Sequence, residues 1–195
     1  MVQAFFIGND IYDDQNWLRK NVDESAEPLR HPFRTLLKNI LILDWLWNHL
    51  VSIPIFDRLL FDMGLRYQNR GLFLKDQPEY ESHAWPLTLK KLLQIGQDLQ
   101  SEEISWLVMI IPTSDQVRFG HIERQNENYR LPNEILTEFL SEHQIEYIDL
   151  LPLIETQAEK NGFYYRRDLH WTEQGHFFAA ETLADRLWSL LVDRG

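Results

Sequence analysis

The sequence predicts an α/β protein, a parallel β-sheet carrying helices on its faces within a single domain. Short apolar runs closed by turn residues occur at 2–7, 106–111 and 145–150, and such runs read as strands buried in a sheet. Segments with helical apolar spacing separate them, and alternating strands and helices imply parallel pairing through right-handed crossovers. The length, 195 residues, suits one domain with a large insertion.

In chain order, Val2 to Ile7 contains two Phe and closes on Gly8-Asn9-Asp10. This run predicts a strand buried on both faces, which wants a neighbour on each side. Nothing precedes it to supply one, so the sequence reads as starting inside a domain that is N-terminally incomplete. Residues from about 14 to 85 hold no convincing strand and form a helical insertion. Within it Phe33, Leu36, Leu37, Ile40, Leu43, Trp47 and Leu50 share one helical stripe, and Phe56 to Met63 predicts a second helix ended by Gly64. Lys38, Asp44 and His49 interrupt the first helix, which argues against a membrane span. A buried helical hairpin is the plain reading; a lid, or a helix pair that meets lipid, is the alternative.

The spacing then predicts a helix over 86–99, a strand over 106–111 closed by Pro112-Thr113-Ser114-Asp115, a helix over 132–143 and a strand over 145–150. Thr172 is placed to cap the last helix, whose apolar face is predicted as Phe177, Ala180, Ala184, Leu187 and Leu191.

Composition narrows the function. A formal charge of -11 and a pI near 5.0 disfavour an electrostatic grip on nucleic acid. No Cys is present, so disulfides, thiolate nucleophiles and Cys-ligated zinc are excluded. The chain shows neither a signal peptide nor a span, and as written it reads as cytoplasmic. No cofactor is expected.

The chemistry concentrates in Tyr165-Arg166-Arg167-Asp168-Leu169-His170-Trp171-Thr172, followed by Gly175-His176. In extended chain, side chains at i and i+2 share a face, so Asp168 and His170 are set to pair. The carboxylate would take the Nδ1 proton and leave Nε2 free as a base. Asn9, beside a glycine at a strand end, has an amide suited to a developing oxyanion, although Gly-Asn-Asp also reads simply as a turn. Asp168, His170 and His176 suggest a metal site as a lesser reading, but no fourth ligand is evident. In open α/β sheets ligands bind beyond the carboxyl ends of the strands, where Gly8-Asn9-Asp10, Thr113-Ser114-Asp115 and the Asp168–His170 loop all belong. A nucleophile is missing. There is no Gly-x-Ser-x-Gly and no Gly-Asp-Ser, and Ser114, the serine at that rim, is explained by turn capping.

Phe5-Phe6-Ile7-Gly8-Asn9-Asp10 resembles the Gly-x-Asn-Asp block of the SGNH (GDSL-type) hydrolase superfamily. Asp168-Leu169-His170-Trp171-Thr172 resembles that superfamily's C-terminal Asp/His block, in the same order along the chain. The resemblance implies a flavodoxin-like three-layer α/β/α fold and metal-free hydrolysis of esters, often acyl groups on carbohydrates or lipids. It implies His170 as general base, Asp168 as its partner and Asn9 as an oxyanion-hole donor. The Asp-x-His spacing is shorter than the commoner Asp-x-x-His. The superfamily's first block, with the serine, would lie upstream of Met1, so the chain reads as a C-terminal portion with little activity alone. Two other readings remain: a non-catalytic binding or assembly module, using the exposed sheet edge and the aromatic helices around Trp45 and Trp47, and a metal-dependent hydrolase.

Overall fold

The computed structural model describes residues 1–8, 10, 11, 13, 14, 49, 53, 55, 56, 59, 70–76, 79–120, 125–158, 162–165 and 170–192. Its sheet has three parallel strands in the order β1 (Val2–Phe6), β2 (Leu107–Ile111), β3 (Glu146–Asp149). Helices with described bounds are α1 (Glu79–Ser101), α2 (Ser114–Phe119), α3 (Leu131–Glu142), α4 (Leu150–Glu155) and α5 (Glu173–Val192). A 3-10 turn at Arg70–Phe73 precedes α1.

Alternation along the strands builds two cores. Phe5, Val108 and Ile110 point to one side and pack with Leu92 of α1 and with Leu136 and Leu140 of α3. Leu107, Met109 and Ile148 point to the other, against Val117 of α2, Leu150, Leu151 and Ile154 of α4, and Phe163, Tyr164 and Ala179. Helices therefore cover both sheet faces, which makes a three-layer α/β/α domain. The α/β parallel fold that the sequence predicts is the one observed. Among the described residues no helix is long and apolar enough to cross a membrane.

Several elements depart from expectation. β1 is not buried on both faces. Val2 and Ala4 are exposed, although Leu107 and Met109, their register partners on β2, are buried. Among the described residues the helical cover on that side packs on β2 and β3 and not on β1, and β1 is the edge of the sheet. α1 starts seven residues before Pro86, which lies inside it. Burial of Ala84 and Trp85 against the first core offsets a proline interruption that costs about 3 kcal/mol. Asp14 anchors the stretch after β1 to the same helix, accepting from Thr88 Oγ1 at 2.7 Å and pairing with Lys91.

The apolar face of α5 is the main correction. Gly175 and Ala179 are its buried residues, with Phe178 and Leu183 packed beside them. The predicted face looks outward: Phe177 is 63% exposed and Leu191 70%, and Leu187 and Trp188 are exposed with them. Both sides of α5 have helical apolar spacing. Small residues on the inner side let the helix approach Phe163 closely, which decides the contest and which spacing alone does not reveal. The predicted helices over 33–50 and 56–63 fall outside the described residues except for His49, Phe56 and Leu59.

Candidate active site

The carboxyl ends of β1 and β2 meet closely. A Cβ on Gly8 would lie 2.8 Å from the Phe6 ring and 3.3 Å from Thr113 Cγ2, so a side chain here would have to displace the Phe6 ring. Gly8 also lies in a turn, as the sequence suggests. Asp10 closes β1, its Oδ2 accepting from Phe6 N at 3.0 Å. Burial holds its carboxyl above the ordinary carboxylate value, against the Phe6 N–H and with the help of Asp13 and Asp14.

β2 runs through Pro112 into α2, where a capping box sets the turn. Thr113 Oγ1 accepts from Gln116 N at 3.2 Å, and Gln116 Oε1 accepts from Thr113 N at 2.8 Å. Ser114 occupies the first turn of α2 and is 1% exposed, so its hydroxyl presents no surface to a substrate. Gln116 also donates to Tyr129 O at 2.8 Å and to Asn133 Oδ1 at 2.6 Å. Asn133 Nδ2 donates in turn to Asp149 Oδ1 at 2.6 Å, and that oxygen also accepts from Leu151 N to cap α4. A buried polar chain thus ties the ends of β2 and β3 to the start of α3.

Asp149 titrates above the ordinary carboxylate value. Burial is the largest cause and Glu155 adds to it, while the Leu151 N–H, the Asn133 amide and Arg130 oppose it. A raised folded-state pKa means stability that is complete below the unfolded value near 3.9 and lost as pH rises through the folded value. Asp149→Asn keeps an acceptor for both donors and removes the ionisation. The decline in urea midpoint above pH of about 4 is expected to flatten in this variant. Asp10 supplies a slope of the same sign and remains in it, so the flattening is partial; an unchanged slope would absolve Asp149.

His170 lies on an antiparallel hairpin whose described arms are 162–165 and 170–172. Tyr164 and Trp171 form an antiparallel bridge; Tyr165 N donates to His170 O at 2.8 Å and Thr172 N to Phe163 O at 2.9 Å. Thr172 has the capping role that the sequence assigns it, Oγ1 accepting from Gly175 N at 3.3 Å while donating to Gly162 O at 2.7 Å. Trp171 meets Tyr164 edge-on at 6.3 Å and His176 edge-on at 5.4 Å. The hairpin rests on the end of β2. Tyr164 OH donates to Pro112 O at 2.5 Å, and Arg118 Nη2 donates to Tyr164 O at 3.1 Å and to Tyr165 O at 3.2 Å. Burial pushes the Tyr164 phenol upward, so it stays a neutral donor.

At the rim, then, Gly8 meets Thr113 and Tyr164 of the hairpin is bonded to Pro112; His170, on the other arm of that hairpin, is exposed. Asn9 and Asp168 lie outside the described residues. Sequence reasoning missed Arg118 and the Gln116–Asn133–Asp149 chain. The Thr-x-x-Gln box at 113–116 is the signal that would have revealed α2, and with it Arg118.

Comparison with known families finds a match. The model described as SGNH hydrolase-like domain, acetyltransferase AlgX, matches residues 69–193. That span, more than half of the chain, includes Ser114, Arg118, Asp168 and His170, and excludes β1 with Asn9. No curated protein and no solved structure matches.

Proposed function

This chain belongs to the SGNH hydrolase-like domain family of the acetyltransferase AlgX, and from that premise we propose that it carries the general-base half of an acyl-transfer site. His170 is the base, Asp168 holds its Nδ1 proton, and Asn9 donates to the oxyanion. The substrate class is an acyl ester, with acetyl groups on carbohydrate hydroxyls foremost. The observation that carries the reading is the anchoring of the His170 hairpin on the carboxyl end of β2, with the imidazole-bearing residue exposed.

In the reaction, His170 Nε2 takes the proton from a serine hydroxyl as its oxygen attacks the ester carbonyl, then returns it to the departing alkoxide. Water or a sugar hydroxyl then takes the acyl group from serine, which makes the outcome hydrolysis or transfer. Water and a sugar hydroxyl compete for the same acyl-serine, so the base pair alone does not choose between them. The sequence contains no Gly-Asp-Ser, and Ser114 is buried. The serine is therefore assigned to polypeptide other than the rim described above.

The test is acetyl-ester hydrolysis and acetyl transfer to an oligosaccharide by the protein as produced from its own gene. His170→Ala and Asp168→Asn are each expected to lower kcat by about 10³- to 10⁴-fold with KM little changed. Full activity in His170→Ala would sink the proposal. A second reading, a non-catalytic module on the same fold, is favoured by the absence of a Gly-Asp-Ser and the burial of Ser114. Ligand binding without acyl turnover in any of these proteins would select it.

A further inference from the structure

His170 is exposed, and where its imidazole stands over the rim depends on the placement of its backbone. That backbone hangs on the opposite arm of the hairpin through the bond from Tyr165 N to His170 O. The opposite arm hangs in turn on Arg118, whose Nη2 serves the carbonyls of Tyr164 and Tyr165, 46 and 47 residues away in sequence. Tyr164 OH on Pro112 O is the one further tie to the β2 rim that these contacts supply.

We infer that Arg118 is a positioning residue for His170, fixing the hairpin above the β2 rim so that the imidazole holds one orientation and one tautomer. This rests on the reading of His170 as a base oriented by Asp168. A guanidinium nitrogen presents its two N–H bonds in fixed directions within one plane, which suits two successive carbonyls. An ammonium on a flexible stem carries the same charge without fixed directions. Arg118 sits in the last turn of α2, where any cation favours the helix dipole. Arg118→Lys therefore keeps the charge and removes the directed bonding.

The experiment is ¹⁵N NMR of the His170 ring in the neutral state, comparing wild type, Arg118→Lys and Asp168→Asn. Wild type should favour the Nδ1–H tautomer, and Asp168→Asn should lose that preference. In Arg118→Lys the Nδ1–H to Nε2–H ratio is expected to fall by about threefold or more, with amide shifts of β2 and α5 unchanged. A purely structural contact would leave the ratio alone. If Asp168→Asn shifts the ratio and Arg118→Lys does not, the inference is overturned while the base reading stands. If Asp168→Asn changes nothing, the base reading falls and the inference with it. Should Arg118→Lys fail to fold, Tyr164→Phe, which deletes only the hydroxyl on Pro112 O, takes its place with the same expected direction.

Discussion

Gly175→Ala is expected to destabilise the protein by about 2 kcal/mol, although it adds a better helix former to α5. Two effects of opposite sign compete. Replacing a helical glycine with alanine gains about 1 kcal/mol where the new methyl meets nothing. Here a Cβ at 175 would sit 2.5 Å from Phe163 O and 3.3 Å from Trp171 Cβ. The first contact is backbone, and the same oxygen accepts from Thr172 N. Relief requires α5 to lift from the hairpin or the Phe163 carbonyl to turn away from Thr172. Overpacking of this kind costs about 1–3 kcal/mol, and a hydrogen bond goes with it. The clash wins. Urea denaturation checks the sign, and a variant about 1 kcal/mol more stable than wild type would show that α5 does not press on the hairpin. The consequence reaches function, because a lifted α5 frees the arm that carries Trp171 and His170.

The parts of the fold readable from sequence were those whose burial leaves a one-dimensional trace. Val108, Met109 and Ile110 face alternate cores and are all buried, so β2 appears as an unbroken apolar run. The helix over 131–142 carries Leu136 and Leu140 at helical spacing and begins beside Pro132. α2 and α4 have six residues each, less than two turns, and no period can be established in that length. Only their caps, Thr113 with Gln116 and Asp149, betray them. α5 failed for the opposite reason, having too much apolar pattern, with the deciding feature being the smallness of Gly175 and Ala179.

The site follows the same logic. Asp168 and His170 are close enough in sequence for spacing to suggest a pair, and their position after the last strand suggests the rim. Arg118 reaches that hairpin across more than forty residues, and long-range contacts of a polar side chain leave no local mark. The same holds for Asn133, which reads as an ordinary residue near the start of a helix and is in fact buried between Gln116 and Asp149. A pair close in sequence was more legible than contacts that join distant segments.

Gln116→Leu should have the largest effect on stability, a loss of about 3–5 kcal/mol. Leucine is close to glutamine in size, so the change isolates polarity from packing volume. Gln116 is fully buried and satisfies three groups at once: the Thr113 N–H, the Tyr129 carbonyl and the Asn133 side-chain oxygen. A buried donor or acceptor left without a partner costs about 1–3 kcal/mol. Three of them exceed the gain from burying an isobutyl group where an amide had been, about 1.5–3 kcal/mol even for a fully favourable transfer. The damage also propagates. Asn133 freed at one end can swing from Asp149, whose carboxylate already carries the burden of burial. Since domains are stable by only about 5–15 kcal/mol, a loss of this size should lower the urea midpoint sharply. Gln116→Glu separates the two halves of the argument. It keeps the acceptor for Thr113 N but cannot donate to Tyr129 O or Asn133 Oδ1 when ionised, so it should recover stability only as the pH falls into the carboxylate range. If Gln116→Leu instead lies within about 0.5 kcal/mol of wild type, the polar chain contributes packing alone, and the β2 and β3 ends are held together by the apolar cores beneath them.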